Sequence, residues 1–176
     1  LARIQIPSHV TQICEGAFSC CKQLSRFEFE PNSELRTIGK EAFSYSALAR
    51  IQIPAGAVEL EDGWCSGTEH LIEVEVDRGN GRYSSVGGKL VIGKSDIANE
   101  DYDTLVFCAR DSTEANIPAT IKIIGAYAFS YSELARIQIP SHVTQIYEGA
   151  FYNCRQLSRV EFEPNSELLT IGAYAF

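Results

Sequence analysis

Leu1-Ala-Arg-Ile-Gln-Ile-Pro-Ser-His-Val-Thr-Gln-Ile-Cys-Glu-Gly-Ala-Phe18 is the stretch that decides the fold, because the chain repeats it. Residues 134–151 bring it back with a single substitution. Looser versions begin at Leu24, Leu48, Leu71, Ser112 and Leu157. A period of 22 to 24 residues is typical of a solenoid, in which each unit buries its apolar face against its neighbours.

Apolar residues keep fixed places within each unit. In the first unit they are Leu1, Ile4, Ile6, Val10, Ile13, Ala17 and Phe18. The alternation around Ile4 and Ile6 predicts a short strand with one buried face. Pro7 ends this strand, because proline has no N–H to donate to a ladder. Residues 15–18 are predicted to form one helical or 3₁₀ turn on the outer side, and the strands to stack in parallel, which gives a β-rich α/β fold.

The middle of the chain departs from this pattern. In the third unit, the residues expected to fill the places of the Ala-Phe pair are Val58, Leu60, Trp64 and Cys65. Residues 77–111 are predicted to be an irregular segment with an inserted β-hairpin, whose strands Lys89–Ile92 and Thr104–Cys108 are joined by an acidic loop. Insertions of this kind leave a stack intact. We therefore expect residues 1–176 to form a single solenoid. Because the sequence starts and stops inside a repeat, we expect it to be a fragment of a longer chain.

Composition excludes several classes of protein. The formal net charge of −8 argues against a nucleic-acid partner, because binding phosphate requires a basic surface. No apolar run approaches 18 residues, so no membrane span is predicted. Six cysteines are too few for a disulfide-built scaffold. Cys21 and Cys154 share one repeat position, where a small buried thiol is expected, whereas the other four cysteines show no such correspondence.

One motif formally matches a nucleotide-binding loop. Residues 88–95 satisfy the pattern G-x-x-x-x-G-K-S, whose mechanism needs a flexible loop with free amides before a helix. Here the middle residues are Lys-Leu-Val-Ile, which favour a strand, so nucleotide binding is only a remote hypothesis. The acidic residues at 96–103 lack the spacing of an EF-hand calcium loop. The sequence contains no recognisable nucleophile-and-base pair, and we predict neither an enzyme nor a cofactor or metal site.

The repeat as a whole resembles a known family. The pattern Leu-x-x-Ile-x-Ile-Pro, followed by Ile-Gly-x-x-Ala-Phe-x-x-Cys, is similar to the BspA-like (treponema-type) leucine-rich repeats. The stretch from Gly81 to Ile92, followed by Thr104-Leu-Val-Phe, is similar to the hairpin insert of that family. The resemblance implies a right-handed leucine-rich-repeat solenoid from a surface-exposed protein of bacteria or protozoan parasites, with a role in adhesion or host-protein binding. No catalytic residue is implied.

The outward side chains of the predicted strands are the candidate binding surface. The candidate partner-binding residues are Arg3, Arg26, Glu28, Arg50, Gln52, Glu73, Glu75, Arg136, Gln138, Arg159 and Glu161. On a concave parallel sheet they would face a protein partner, such as a host-surface or matrix protein. Alternatively, they form a solvated surface whose charges only prevent aggregation. The leading hypothesis is a secreted or cell-surface adhesion module, and the alternative is an intracellular scaffold or receptor-sensing array.

Overall fold

The computed structural model describes all of residues 1–176, and its chain follows about seven coils. We number these coils 1 to 7 from the repeat starts Leu1, Leu24, Leu48, Leu71, Ser112, Leu134 and Leu157. The fifteen strands are β1 (Arg3–Ile6), β2 (Gln12–Ile13), β3 (Arg26–Phe29), β4 (Thr37–Ile38), β5 (Arg50–Ile53), β6 (Glu59–Leu60), β7 (Glu73–Val76), β8 (Tyr83–Val86), β9 (Leu90–Gly93), β10 (Thr104–Cys108), β11 (Ile123–Ile124), β12 (Arg136–Ile139), β13 (Gln145–Ile146), β14 (Arg159–Phe162) and β15 (Thr170–Ile171).

Six strands lie in the first part of a coil and form three separate parallel pairs. β1 pairs with β3, β5 with β7, and β12 with β14. The sequence predicts one continuous sheet here, but β3 and β5 share no ladder and residues 114–117 of coil 5 form no strand. We call the outward side chains of these six strands the strand face. Its concave curvature and the right-handed sense of the coil stay predictions.

A second ladder runs along another side of the coils, and the sequence analysis missed it. β2, β4 and β6 pair in parallel, as do β11, β13 and β15. These strands have only two residues each, too few for an alternating pattern to reveal them. Four of their second residues, Ile13, Ile38, Ile124 and Ile146, are buried in the core, whereas Leu60 is half-buried and Ile171 is exposed.

The segment 77–111 contributes three antiparallel strands. β9 pairs with β8 on one side and with β10 on the other, and β10 then joins the second ladder by pairing in parallel with β11. The sequence analysis predicts strands at the positions of β9 and β10 but not at β8. The status of this segment as an insertion into a coil stays a prediction.

β9 and β10 form a wall between two hydrophobic cores. Val91 and Phe107 belong to the core of coils 1–4, whereas Leu90, Ile92 and Leu105 belong to the core of coils 5–7. Successive side chains of a strand point to opposite faces, so one short strand serves both cores. Because both faces are covered, every residue of β9 is buried and the strand is continuously apolar, as in fully buried sheets.

The structure contains no helix, so the predicted outer helical turn and the α/β class are wrong. At residues 15–18 the chain forms consecutive turns instead. Gly16 and Cys20 have φ of 62° and 57°, which a right-handed helix cannot contain. Alternate amides also bond to the next coil: the Phe18 N–H donates to the Ala42 carbonyl at 2.7 Å. The backbone donors are thus used between coils, and few are left for a helix.

A column of phenylalanines follows these turns through the stack, and it is interrupted in the middle. Phe18 stacks on Phe43 with ring centroids 5.5 Å apart, and Phe129 stacks on Phe151 at 4.9 Å. The N–H of a phenylalanine in the column donates to the carbonyl that precedes the column residue of the next coil, as Phe18 does to Ala42 before Phe43. The bond from Phe43 N to Trp64 O therefore places Cys65 in the column in coil 3, and the bond from Cys108 N to Ala128 O, before Phe129, places Cys108 there in coil 4. These two cysteines therefore do share a repeat position, contrary to the sequence-based expectation.

Arg110 lies buried beside this interruption. Its guanidinium contacts the Cys65 sulfur at 3.5 Å, donates to the Ala128 carbonyl at 3.1 Å and lies 4.7 Å from the centroid of the Phe107 ring. The side chain is almost fully buried and forms no ion pair with a carboxylate. Burial raises the pKa of the Cys65 thiol, although Arg110 acts in the opposite direction.

Candidate protein-binding face

The eleven candidate side chains all project from the strand face, and none is buried. Glu28 and Glu73 are half-buried and the other nine are exposed. The strands position them by simple alternation, since Ile51 and Ile53 of β5 are buried while Arg50 and Gln52 between them are exposed. The sequence pattern therefore predicted correctly which side chains are accessible.

Glu28 neutralises the first two arginines of the face. Arg3 and Arg26 lie directly opposite each other in the β1–β3 register, where two like charges would repel. Each donates to a different oxygen of Glu28, both at 2.9 Å. The hydrogen bond from Arg3, with a further contribution from Arg26, lowers the pKa of Glu28 below its ordinary value. Glu28 is thereby kept as an ionised acceptor between two cations.

A hollow of about 600 Å³ opens on the strand face where the ladder between β3 and β5 is missing. The candidate residues that line it are Arg26, Glu28, Arg50, Gln52, Glu73 and Glu75. Arg50 Nε donates to Glu73 Oε2 at 3.0 Å across the β5–β7 pair. Gln52 and Glu75 face each other in the same register and make no hydrogen bond to another side chain. Phe27 and Ile51 also line the hollow, but their side chains are buried in the core beneath it.

The remaining candidates form a second group on β12 and β14. Arg136 pairs with Glu114 at 3.1 Å, and Arg159 pairs with Glu161. Gln138 Nε2 donates to Glu163 Oε1 at 3.3 Å. Residues 114–117 of coil 5 form no strand between this group and the β5–β7 pair. The structure therefore divides the predicted array into two groups.

Sequence reasoning missed the residues that fix the ends of these strands. Glu163 also accepts a hydrogen bond from the Ser141 amide at 3.0 Å, which holds the turn after β12. Glu30 does the same for the Ser8 amide after β1, also at 3.0 Å. The signal was present, because the two glutamates occupy the same place in the two copies of the repeat.

The two other motifs that suggested a chemical function, residues 88–95 and the acidic loop, are tied into the structure by hydrogen bonds. The middle of the 88–95 motif lies in β9, whose backbone pairs with a strand on each side, so its amides do not form a phosphate cradle. In the acidic loop, Asp103 accepts hydrogen bonds from the Ser95 amide and hydroxyl. Partial burial acts to raise the pKa of Asp103, but the hydrogen bonds from Ser95 and Thr104 together lower it. The structure shows no group of three His, Cys, Asp or Glu side chains able to hold a metal ion.

No helix that could span a membrane occurs in the structure.

The chain and its fold are similar to known proteins. The family described as the BspA type leucine rich repeat region matches residues 1–85 and 103–176 in six copies. No curated protein sequence matches the chain.

Three solved structures resemble this one closely. The pneumococcal vaccine antigen PcpA has a TM-score of 0.83 at 24% identity, over 92% of this chain and 39% of that one. A leucine rich cell surface protein from Faecalibacterium prausnitzii A2-165 has a TM-score of 0.81 at 30% identity, over 93% of this chain and 42% of that one. A leucine-rich repeat protein from Eubacterium ventriosum ATCC 27560 has a TM-score of 0.73 at 25% identity, over 99% of this chain and 56% of that one. This chain thus spans about half or less of each relative. The repeat pattern, the stacked coils and these matches lead to one conclusion: the chain belongs to the BspA-type leucine-rich-repeat family.

Proposed function

We propose that this chain is a non-enzymatic protein-binding module of a cell-surface protein, and that it holds its partner on the strand face. The hollow between β3 and β5 is the observation that carries the proposal. Its six candidate side chains present both signs of charge around a hollow of about 600 Å³. Surfaces that carry both signs of charge select partners whose charges are complementary.

Two further observations support a protein partner. The strands repeat along the stack, and repeat arrays use such extended surfaces for binding. A cell-surface protein and a vaccine antigen are among the structural relatives. We propose by analogy that the partner is a protein outside the cell, such as a host-surface or matrix protein. The existing ion pairs of the face are exposed, so exchanging them for pairs with a partner costs little.

Charge reversal tests the site. We expect the double variant Arg26→Glu/Arg50→Glu to weaken binding to an immobilised matrix or host-surface protein at least tenfold, because both side chains line the hollow. Biolayer interferometry against a panel of such proteins measures this. Arg155→Glu is the matched control, since Arg155 is exposed and bonds only to neighbouring Asn153. Equal binding by the wild type and the double variant would remove the hollow from the proposal.

A second variant separates the two groups of the face. We expect Arg136→Glu/Arg159→Glu to retain binding if the hollow alone is the site, and to lose it if a partner extends along the whole array. Antibody labelling of intact cells, compared with permeabilised cells, tests the surface location. Labelling that requires permeabilisation would favour an intracellular scaffold instead.

A further inference from the structure

A small cleft lies where the second ladder is interrupted, away from the strand face. β6 ends the first part of that ladder and β10 begins the second part, and the two are not paired. Tyr83 of β8 closes the gap in part, because its hydroxyl accepts the hydrogen bond of the Leu60 amide at 2.9 Å. The cleft that remains has a volume of about 210 Å³, below the range usual for drug-sized ligands. Its size suits a small molecule.

Two nitrogen donors of this cleft have no acceptor. Trp64 lines it with an indole that is 3% exposed, and the Nε1–H of that indole has no hydrogen-bond partner. Arg82 lines it too, and its buried Nε–H is also unpartnered. Buried donors are almost always paired in folded proteins, and an unpaired donor costs about 1–3 kcal/mol. Two such donors at one cleft point to a ligand that supplies oxygen acceptors.

Four charged side chains of the cleft form no ion pair, although Glu61 accepts a hydrogen bond from the Lys40 amide at 2.7 Å and Arg82 Nη2 donates to the Ser95 carbonyl at 3.2 Å. Glu61 and Asp62 follow directly after β6. Arg82 precedes β8 and Lys94 follows β9, and the two are adjacent because the Lys94 amide donates a hydrogen bond to the Arg82 carbonyl. None of the four takes part in an ion pair of the structure. Carboxylates and cations thus line one small space without neutralising each other.

We propose that this cleft binds a small zwitterion of the size of a free α-amino acid. Its carboxylate accepts hydrogen bonds from Trp64 Nε1 and Arg82 Nε and is attracted by Lys94. Its ammonium group is attracted by Glu61 and Asp62. Apolar lining residues such as Val106 and Ile123 leave room for a short aliphatic side chain. A ligand with one charge only would leave the opposite pair of charges uncompensated, which is why the chemistry favours a zwitterion.

Isothermal titration calorimetry on the whole chain tests the proposal, with glycine, L-serine and L-leucine as probes. We expect saturable one-to-one binding of at least one of them. Sodium acetate and methylammonium chloride carry the two charges separately, and we expect each to bind at least tenfold more weakly. Acetate binding as tight as that of the amino acids would show a plain anion site and overturn the proposal. So would the absence of saturable binding up to about 50 mM, the range of very weak affinity.

Two variants assign the binding to this cleft. Trp64→Phe removes the indole N–H but keeps an aromatic ring, and Arg82→Met removes the guanidinium but keeps an unbranched chain. We expect each to weaken binding of the best amino acid at least tenfold, and Arg155→Met, away from the cleft, to leave it unchanged. If circular dichroism shows that Trp64→Phe disturbs the fold, Arg82→Met and Lys94→Met decide the question. Undiminished binding by these variants would place the ligand elsewhere and refute the assignment.

Discussion

Residues 1–43 and 134–176 have nearly the same sequence, with 35 identities in 43 positions, but they are buried differently. Phe43 is fully buried, whereas its counterpart Phe176 is 55% exposed. Ile38 is fully buried and its counterpart Ile171 is 54% exposed. Conversely, Phe151 is buried while its counterpart Phe18 is only half-buried. The difference follows from neighbours, because a ring in an outer coil has another coil on one side only.

The sequence of a repeat unit therefore specifies where a side chain points, but not how much that side chain contributes to the stability of the fold. The same residue contributes fully when a coil packs on both sides of it, and only partly when a coil packs on one side. This is the physical meaning of nearest-neighbour coupling in repeat proteins. Substitutions at matched positions of the two copies therefore test whether neighbouring coils set the contribution of a residue.

The largest contrast is expected at the phenylalanine column. Phe43→Ala should lower the free energy of unfolding by about 3–5 kcal/mol, as for other buried aromatic residues. Phe176→Ala should cost less than about 1 kcal/mol, as for exposed positions. Urea unfolding followed by circular dichroism measures both. Equal costs at the two positions would mean that the burial difference between the copies is not realised in solution.

The next contrast concerns two equivalent glycines with left-handed backbones. Gly16 and Gly149 have φ of 62° and 59°. A Cβ on Gly16 would meet no atom closer than 3.9 Å, whereas a Cβ on Gly149 would lie 2.4 Å from the Tyr127 ring. Gly16→Ala should therefore cost only the backbone penalty of about 1–2 kcal/mol.

Gly149→Ala should cost more than Gly16→Ala, because the Tyr127 ring must also move. Tyr127 donates a hydrogen bond to Glu148 at 3.0 Å, which the displacement would disturb. Thermal unfolding of the two variants compares them directly. A Gly16→Ala variant that is as destabilised as Gly149→Ala would indicate that backbone strain, and not the ring, dominates.

A smaller contrast is expected when one methylene group is removed. Ile38→Val should cost about 0.5–1.5 kcal/mol, the usual range for a buried position. Ile171→Val should change stability by less than about 0.5 kcal/mol. The same urea titrations provide the measurement. A cost at position 171 that matches the cost at position 38 would contradict the difference in burial between Ile38 and Ile171.

The smallest contrast concerns the ion pairs of the strand face. Since Arg3 and Arg26 lower the pKa of Glu28, its ionised form is favoured in the folded state. The resulting stabilisation is complete above the ordinary pKa of 4.5 and is lost as the pH falls through the lower pKa of the folded protein. Wild type and Glu28→Gln should therefore converge in stability at low pH and diverge as the pH rises to about 5.

Glu161 is the equivalent of Glu28 in the second copy, and it pairs with Arg159 alone because Arg136 pairs with Glu114. Glu161→Gln should therefore break one ion pair and Glu28→Gln two, so that Glu28→Gln is the less stable variant at pH 7. Thermal midpoints of wild type and both variants measure this, and a series for Glu28→Gln between pH 3 and 7 tests its pH dependence. Equal stability of the two variants at pH 7 would mean that the second arginine at Glu28 adds nothing.

Much of the coil could be predicted from the sequence, because its determinants are local. The alternation in Arg-Ile-Gln-Ile fixed which side chains of β5 and β12 are exposed, and so identified the accessible surface. The fixed place of phenylalanine in the repeat identified a core position, whereas the stacking of these rings into a column was seen only in the structure. The division of the strand face into two groups could not be predicted, because it depends on a segment at 114–117 that forms no strand. The hollow could not be predicted either, because it depends on a missing ladder between β3 and β5.

The environment of Arg110 could not be predicted for a related reason. In the sequence, an arginine between Ala109 and Asp111 has the pattern of a solvated charge. It is buried because Cys65 and Cys108 replace phenylalanine in two successive coils and leave space beside the column. Such a site depends on residues 45 positions apart, and no local pattern records it.

The wall formed by β9 and β10 has a mechanical consequence. β9 lends alternate side chains to the two hydrophobic interiors, and β10, which has a bulge after Leu105, also contributes to both, so neither half of the stack can keep its full interior if the wall detaches. Under tension applied to the two ends, we expect the molecule to yield at this layer and to extend in two cooperative steps. The molecule would thereby respond to pulling with an intermediate of defined length.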